Sequence, residues 1–431
     1  MKCQYACGSL DHTLSRRQFL AGTSAGALGL LGFGDMLAPA AQQQIAKQQK
    51  RVLLVWLAGG VSQLETWDPK PGTDTGGPFQ TIQTSATGTQ ICELLPYTAK
   101  HMHRMALIRG INTKEDNHGK GAVIMHTGRR DDQQRGVQYP HLGSAMAKLL
   151  TTKDNPLPGY LHISPKGGSG FNKQDAGFLG PKFASINLAD GKPPANLLRP
   201  EDLSAASDQQ RNDFRAQLDK KFGQRRRTAE TEVYTQSYEQ AAQLAARHKI
   251  FDTTSESAKV VDRYGRHEFG EHCLLARRLL EAGVTFVKVT HTNYDTHHEN
   301  FDFHIEQLGE FDRSFATLMD DLVERSMLDS TLVIVMSEFG RTPKINSRYG
   351  RDHWSRAWSI AVGGCGIKGG AVVGKTNANG TAVTEREVNG GHLFHTYFKA
   401  LGLNGHKNYY VDQQPIPMAD PDTDAIDEIL A

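Results

Sequence analysis

Residues 51–57 read Arg-Val-Leu-Leu-Val-Trp-Leu and run directly into Ala58-Gly59-Gly60. This stretch is apolar and rich in residues that favour strands, so it predicts a strand buried on both faces, as in a parallel sheet. The glycines that follow indicate a loop at the carboxyl end of the strand. Because ligands of open α/β sheets bind beyond the carboxyl ends of strands, this loop is a candidate position for a functional site.

The same alternation of apolar strands and amphipathic helices continues along the chain. Helices are predicted at 119–125, 142–150, 268–282, 304–325 and 395–401, and further strands at 284–290, 330–336 and 357–362. Apolar strands separated by helices are typical of a sheet covered on both faces. The sequence therefore predicts an α/β fold with a central, mostly parallel sheet between helices.

The middle of the chain has a different composition. Residues 153–200 are rich in Gly, Pro, Asn and Asp, which predicts loops and short strands and favours a functional surface over a linker. Residues 201–250 are polar, with helical spacing and three consecutive arginines at 225–227, and predict a helical insertion. A solvated helical hairpin is favoured there over a nucleic-acid patch.

The charge balance excludes some classes of partner. The 431 residues contain 49 Lys and Arg against 47 Asp and Glu, a formal net charge of +2. A nucleic-acid binder that neutralises many phosphates needs a larger cationic excess, so we expect no nucleic-acid partner. The hydrophobic and charged fractions, 38% and 22%, are those of an ordinary globular protein.

The N-terminus predicts export. Ser15-Arg16-Arg17-Gln18-Phe19-Leu20 reads as a twin-arginine motif, and the weakly apolar stretch 19–34 is too short to span a bilayer. Ala38-Pro39-Ala40 offers a cleavage site, which predicts a signal peptide at 1–40 and a mature domain at 41–431 without a transmembrane anchor. We expect a periplasmic or envelope location. The alternative is a cytoplasmic N-terminal helix with a chance Arg-Arg pair.

The cysteines predict no disulfide framework. Two of the five lie in the predicted signal peptide, and Cys92, Cys273 and Cys365 remain. An odd number without paired spacing indicates neither a disulfide scaffold nor a zinc ribbon.

Polar side chains follow the predicted strands of the second half. Asp295 and His298 come after the strand at 284–290, Glu338 comes after the next strand, and His353 lies further on. Imidazole and carboxylate groups are the ligands that zinc, manganese or iron prefer, so these residues predict a metal site at one edge of the sheet. Alternatives remain open for each one. A single histidine at a strand end is often a hydrogen-bonded structural residue, and Asp295 could cap a helix that begins near His297.

Several motifs together resemble one family. They are Leu54-Val55-Trp56-Leu57-Ala58-Gly59-Gly60-Val61-Ser62-Gln63, Asp68-Pro69-Lys70-Pro71, Tyr294-Asp295-Thr296-His297, Ser337-Glu338-Phe339-Gly340-Arg341-Thr342-Pro343, Gly350-Arg351-Asp352-His353-Trp354 and Gly364-Cys365-Gly366-Ile367-Lys368-Gly369-Gly370. They resemble the exported, sulfatase-like family known as domain of unknown function 1501, over essentially the whole mature chain. The resemblance implies the alkaline-phosphatase/sulfatase fold, with metals at the carboxyl-terminal edge of the sheet, and implies no particular reaction.

The resemblance also assigns a position to His118. The segment 122–129 resembles the helix of sulfatases that ends in Thr-Gly-Arg and carries the nucleophile, which places His118 at the nucleophile position. A sulfatase has Cys or Ser there, so the chain is not an ordinary formylglycine sulfatase. An imidazole at this position can attack phosphorus, act as a base or bind a metal.

The metal positions of the superfamily are retained only in part. Asp295, His298 and His353 resemble one Asp…His…His subsite, and Glu338 keeps one carboxylate of the other. Gly59 and Gly60 stand where sulfatases have paired acidic residues, and Phe339 stands where they have a second ligand. Two nearby carboxylates are candidate substitutes for the missing pair, namely Glu65 and Asp68.

Two hypotheses of different classes follow. The first is an exported metal-dependent hydrolase of phosphate or sulfate esters that uses zinc, manganese or calcium. Its proposed metal ligands are Asp295, His298, His353 and Glu338, its catalytic residues His118 and Arg341, and Arg341 steadies the transferred anionic group. The second is a non-catalytic envelope protein that binds sulfated or phosphorylated glycans, or a partner protein, on the same fold.

Overall fold

The computed structural model describes residues 49–431 apart from 134–135, 153–154, 156, 167–174, 195–196, 198–199, 201, 226–228 and 412. The predicted signal peptide lies outside the described residues. Within the described ranges, every helix is too short or too polar to cross a bilayer.

A mixed sheet of eight strands forms the centre of the described part of the molecule. Its strands are β1 (Arg51–Leu57), β4 (Met105–Ile111), β5 (Tyr160–Ser164), β6 (Ile186–Ala189), β7 (Phe286–His291), β8 (Thr331–Met336), β11 (Trp358–Gly364) and β12 (Val372–Val373). They lie in the order β12-β4-β11-β8-β1-β7-β5-β6. In this sheet β11 runs against its neighbours β4 and β8, and the other pairings are parallel. The predicted α/β fold with a mostly parallel sheet is confirmed.

The described residues also form four two-stranded sheets outside the central sheet. They pair β2 (Thr81–Gln83) with β3 (Gln90–Cys92), β9 (Gly340–Arg341) with β10 (His353–Trp354), β13 (Lys375–Thr376) with β14 (Val383–Glu385), and β15 (Asn408–Val411) with β16 (Gln414–Pro417). The β9–β10 pair matters for function because it joins two loops of the candidate site.

Helices cover both faces of the central sheet. They are α1 (His118–Thr127), α2 (Leu142–Leu150), α3 (Ala205–Arg225), α4 (Ala229–Ala246), α5 (Ala258–Tyr264), α6 (Glu268–Glu281), α7 (Asn300–Glu324) and α8 (Gly390–Ala400). Alternate residues of β1 enter two separate apolar clusters, Leu54 on one face and Val55 on the other. The sheet is therefore buried on both sides, as its continuous apolar strands predict. The helices predicted within 201–250 are present as α3 and α4.

Some helix boundaries differ from the sequence prediction, and a side-chain cap explains one of the differences. The helix predicted at 304–325 begins earlier, at Asn300, and its N-cap is Glu299. Asp295 therefore does not cap this helix. The late helix begins at Gly390, where the Asn389 side chain accepts hydrogen bonds from the amides of the first turn and His392 completes a capping box.

Lys288 of β7 is buried in the interior and gives the first testable prediction. Its Nζ lies 2.9 Å from Nε2 of His126 and 5.1 Å from the centre of the Trp56 ring. Burial lowers the pKa of Lys288 to about 7, whereas the unfolded chain keeps this proton to about pH 10. Between these values the unfolded state binds more protons, so the contribution of Lys288 to the free energy of unfolding rises with pH by at most ~1.4 kcal/mol per unit.

Replacing Lys288 with Met should remove this dependence. We expect the free energy of unfolding of the wild type, minus that of K288M, to increase from pH 7 to pH 9 in urea titrations. Parallel pH profiles for the two proteins would show that Lys288 keeps an ordinary pKa in the folded state.

Candidate metal centre

Four loops meet at the carboxyl edge of the central sheet. The strands β4, β7 and β8 run in the same direction, so the segments that follow them lie at one edge: α1 with His118, the loop with Asp295, and the loop with Glu338. Because β11 runs in the opposite direction, the segment that precedes it also reaches this edge and carries His353. The topology thus brings together residues that are far apart in the sequence.

His118, Asp295 and His353 form the core of this cluster. Nε2 of His118 lies 3.3 Å from Oδ2 of Asp295, and Nε2 of His353 lies 3.2 Å from Oδ1 of the same carboxylate. The centroids of the two imidazole rings are 4.3 Å apart. One potential ligand atom of each residue lies within 4.8 Å of the other two, close enough for one metal ion to contact all three.

The hydrogen bonds of His118 leave one nitrogen facing this space. Its Nδ1 lies 2.7 Å from Oε1 of Glu338, which places the ring proton on Nδ1 when the imidazole is neutral. Its Nε2 is buried and faces Oδ2 of Asp295 at 3.3 Å. A lone pair directed at a carboxylate oxygen is unfavourable unless a proton or a metal ion lies between them. The residues present therefore fit a divalent metal.

His297 adds a fourth nitrogen beside the cluster. Its Nε2 is 3.0 Å from Nε2 of His353 and 3.1 Å from Oδ1 of Asp295, while its Nδ1 is 2.7 Å from Oδ1 of Asp352. The structure does not bring His298 to the same place: this residue is exposed and its ring packs against Phe303. Sequence reasoning missed His297 and Asp352, although both lie next to residues that it selected.

Glu338 contacts Nδ1 of His118 and is not part of the group that His118 forms with Asp295 and His353. Its Oε1 accepts hydrogen bonds from Nδ1–H of His118 and, at 2.9 Å, from the backbone amide of Gly59. Its Oε2 lies 2.9 Å from the hydroxyl of Ser337. With both oxygens engaged and the side chain buried, Glu338 orients the imidazole, as partners of metal-binding histidines commonly do.

Arg341 is buried and holds Asp295. Its Nη2 donates to Oδ1 of Asp295 at 2.5 Å and to the carbonyl of Gly59. Its Nε donates to the carbonyl of Gly60 at 2.9 Å, and its Nη1 to that of Arg351 at 3.0 Å. All three nitrogens contact protein acceptors, so the geometry fits a role in positioning Asp295 and not the predicted contact with a transferred anion.

The charges of the cluster favour a cation. Burial lowers the pKa of His118, but the carboxylates of Asp295 and Glu338 outweigh it and raise that pKa to about 9. Burial alone would raise the pKa of Asp295, but its contacts with His118, His353 and Arg341 outweigh this and hold it well below the usual range. A divalent ion would compete with a proton for the same position.

The two carboxylates considered as substitutes for the paired acidic residues lie elsewhere. Glu65 pairs with Arg351 at 2.8 Å, and both side chains are fully buried. Asp68 pairs with Lys70 at 2.9 Å and accepts a hydrogen bond from Thr376 at 2.5 Å. Neither carboxylate is among the ligand atoms that converge with His118.

Gly59 shows why no acidic side chain stands at the end of β1. A Cβ atom there would lie 2.5 Å from the backbone nitrogen of Asp295 and 2.9 Å from the carbonyl carbon of Tyr294, and the φ angle is +113°. We predict that Gly59→Ala displaces the loop of Asp295, lowers the free energy of unfolding by about 1–3 kcal/mol and weakens metal binding at least tenfold.

Gly72→Ala is the matched control for this prediction. Gly72 also has a positive φ, +72°, but a Cβ there would meet nothing within 4 Å. Both variants therefore introduce backbone strain, and only Gly59→Ala introduces the collision. Equal metal affinities for the two variants, measured by zinc titration, would contradict the proposed close approach.

The chain is similar to several solved structures at low sequence identity. The chain is similar to the PsFucS1 sulfatase from Pseudoalteromonas sp., with 13% identity, coverage of 91% of this chain and 75% of that chain, and a TM-score of 0.40. It is similar to the phosphonate monoester hydrolase SpPMH from Silicibacter pomeroyi, with 11% identity, coverage of 88% and 76%, and a TM-score of 0.41. For a mutant of the TAB5 alkaline phosphatase, the identity is 11%, the coverage 82% and 99%, and the TM-score 0.34.

These identities are too low to transfer an activity. Among curated proteins, no relative matches the chain. The family inferred from the sequence motifs is confirmed. A family model described as "Protein of unknown function (DUF1501)" matches residues 49–430, and the chain therefore belongs to that family.

Proposed function

We propose that the protein is an exported, metal-dependent hydrolase of phosphate or sulfate esters. The observation that supports this most is the convergence of His118, Asp295 and His353 at the carboxyl edge of the sheet, where one potential ligand atom of each lies within 4.8 Å of the other two. In this proposal His118, Asp295 and His353 hold a divalent metal, with zinc, manganese or calcium as candidates. The twin-arginine motif supports export, and twin-arginine signals direct proteins across the membrane after they have folded.

The helix α1 would favour an anionic substrate group at the same place. His118 is its first residue, and the Asn117 side chain caps it by accepting a hydrogen bond from the Lys120 amide. A helix N-terminus carries partial positive charge and unpaired amides, so it favours an anion. The phosphate or sulfate group of an ester would thus lie beside the proposed ligands.

The residues around the cluster supply orientation and a route for protons. A bound divalent metal would lower the pKa of a water molecule towards ~7 and polarise the ester. Glu338 fixes the ring of His118, and Arg341 fixes Asp295. His297, oriented by Asp352 through Nδ1, has its Nε2 beside the cluster, where it can hold the proton that the leaving group takes up.

Turnover of nitrophenyl esters tests the proposal. Protein stripped with a chelator and reloaded with zinc, manganese or calcium should hydrolyse a nitrophenyl phosphate, phosphodiester or sulfate with at least one metal. We expect this activity to disappear in H118A and to persist in H298Q. No hydrolysis with any metal, or equal hydrolysis by the stripped protein, would overturn the proposal.

One observation favours the non-catalytic alternative. Phe339 stands where the superfamily has a second metal ligand, and its buried ring packs against His118 and His353 with centroid distances of 4.8 and 4.6 Å. A ring at this position occupies space that a second metal would need. Retention of sulfated or phosphorylated glycans without turnover, in the same panel, would favour a binding protein.

A further inference from the structure

We propose a second divalent-metal site, formed by Asp190, Glu268 and His272, that clamps the edge of the sheet to a helix. Asp190 directly follows the edge strand β6, and the other two residues lie in the first two turns of α6. One potential ligand atom of each residue lies within 4.8 Å of the other two. No part of the first centre contributes to this group.

The helix presents two of these ligands together. Glu268 and His272 are four residues apart, so their side chains lie on one face of α6. His272 is only 3% exposed, and the Asp190 backbone accepts a hydrogen bond from its ring. A neutral imidazole that donates through one nitrogen keeps a lone pair on the other, which is the state that binds a metal.

Gly191 keeps space open beside this imidazole. Its φ angle is +65°, and a Cβ there would lie 3.0 Å from Cδ2 and 3.3 Å from Nε2 of His272. Asp190 itself has a φ of +56°, an uncommon conformation for a residue other than glycine. The turn after β6 thus brings a carboxylate to the ring without placing a side chain against it.

Each carboxylate uses one oxygen in the contacts given by the described residues, and the Asp190 carboxylate already pairs with a cation. Oδ2 of Asp190 pairs with Nζ of Lys192 at 2.5 Å, and Oε1 of Glu268 accepts the backbone amide of Lys166 at 2.7 Å. The Lys192 side chain is 73% exposed, so it can turn into solvent when a metal takes its place. One imidazole and two carboxylates suit zinc or manganese.

The second site is separate from the first. In the central sheet, β5 lies between β6 and β7, and the loop that follows β7 carries Asp295. Two strand spacings amount to roughly 10 Å, more than the ~4 Å that separates the metals of a shared two-metal site. Binding here would fasten the short edge strand β6 to α6 and leave the first centre unchanged.

Zinc titration of the purified protein, with calorimetric and thermal-melting readouts, tests this proposal. We expect H272Q to lose one zinc per chain, or to weaken that site at least tenfold, and to lose part of the zinc-dependent rise in Tm. The control is E306Q, because Glu306 is exposed on α7 and outside the group. It should match the wild type.

A second variant tests the site without touching a ligand. K192A removes the competing ammonium and should tighten zinc binding several-fold at this site. Unchanged affinity in K192A, unchanged stoichiometry in H272Q, or an equal loss in E306Q would each overturn the proposal. D295N separates the two centres, because it should lose zinc at the first site and keep it at the second.

Discussion

Replacing Arg351 with Met is expected to lower the free energy of unfolding by about 3–5 kcal/mol, because it leaves Glu65 as an unpaired charge in the interior. The two side chains are fully buried, and Nη2 of Arg351 lies 2.8 Å from Oε1 of Glu65. Burial raises the pKa of Glu65, but the nearby Arg351, His304 and Ser62 outweigh it and keep that pKa below its usual value. Without the guanidinium of Arg351, the effect of burial should dominate and raise the pKa of Glu65.

The loss should be larger than that of a simple ion pair. The guanidinium also donates to the carbonyls of Thr75 and Pro343, at 2.8 and 2.5 Å. The bond to Thr75 joins the segment before His353 to a loop that is distant in sequence, and the bond to Pro343 joins it to the segment that follows β9. Each carbonyl that loses a buried donor adds to the cost.

Urea denaturation at two pH values distinguishes an unpaired charge from lost packing. At pH 7 Glu65 in R351M must be buried as a carboxylate or take up a proton, whereas near pH 4 a proton is readily available. The deficit of R351M relative to the wild type should therefore shrink as the pH falls. The double variant R351M/E65Q should recover part of the loss, and a double variant no more stable than R351M would contradict this explanation.

Replacing Asp295 with Asn is expected to weaken metal binding more than ~100-fold, since loss of a mere supporting partner already costs 10–100-fold. The Asp295 carboxylate lies within 3.3 Å of a ring nitrogen of His118, His297 and His353. An amide keeps the size of this group but removes its charge. The measurement is zinc affinity in a competition assay with a coloured chelator.

His298→Gln is the matched control, and it also separates two interpretations of the same loop. The sequence pattern predicts His298 as a ligand, so its loss should weaken binding. The structure places His298 in solvent beside Phe303, so its loss should leave the affinity unchanged. Comparable losses in H298Q and D295N would contradict the geometry described for the cluster.

The fold was predictable from the sequence because buried parallel strands are continuous apolar runs. The strand Arg51–Leu57 was predicted with its observed boundaries. The direction of β11 was not predictable, because an apolar run reads the same for either direction and pairing depends on distant strands. The start of α8 was also missed, since two glycines in its first turn oppose helix formation and only the Asn389 cap offsets them.

The candidate site was predictable in its residue types but not in its contacts. Polar residues at strand ends identified Asp295 and His353, and the family resemblance identified His118. The structure brings these three residues together. The choice between His297 and His298 depends on the path of one loop, which the sequence does not specify. Likewise, the contact of Arg341 with the Gly59 and Gly60 carbonyls spans more than 280 residues and forms only in the folded sheet.

The sequence contains one pattern that indicates the second proposed metal site and that was not among the predictions. Glu268 and His272 have the four-residue spacing of paired ligands on a helix, within a segment that was predicted to be helical. Asp190 lies in a loop-rich region, and nothing in the sequence pairs it with that helix. The sheet supplies the third ligand, because β6 ends beside α6.

Anomalous scattering at the zinc edge, from crystals grown with zinc, shows whether His118, Asp295 and His353 hold a metal ion. We expect a peak within about 2.0–2.2 Å of Nε2 of His118, Nε2 of His353 and a carboxylate oxygen of Asp295. A map with no peak among these three residues, at a zinc concentration that occupies other sites, would contradict the proposed metal centre.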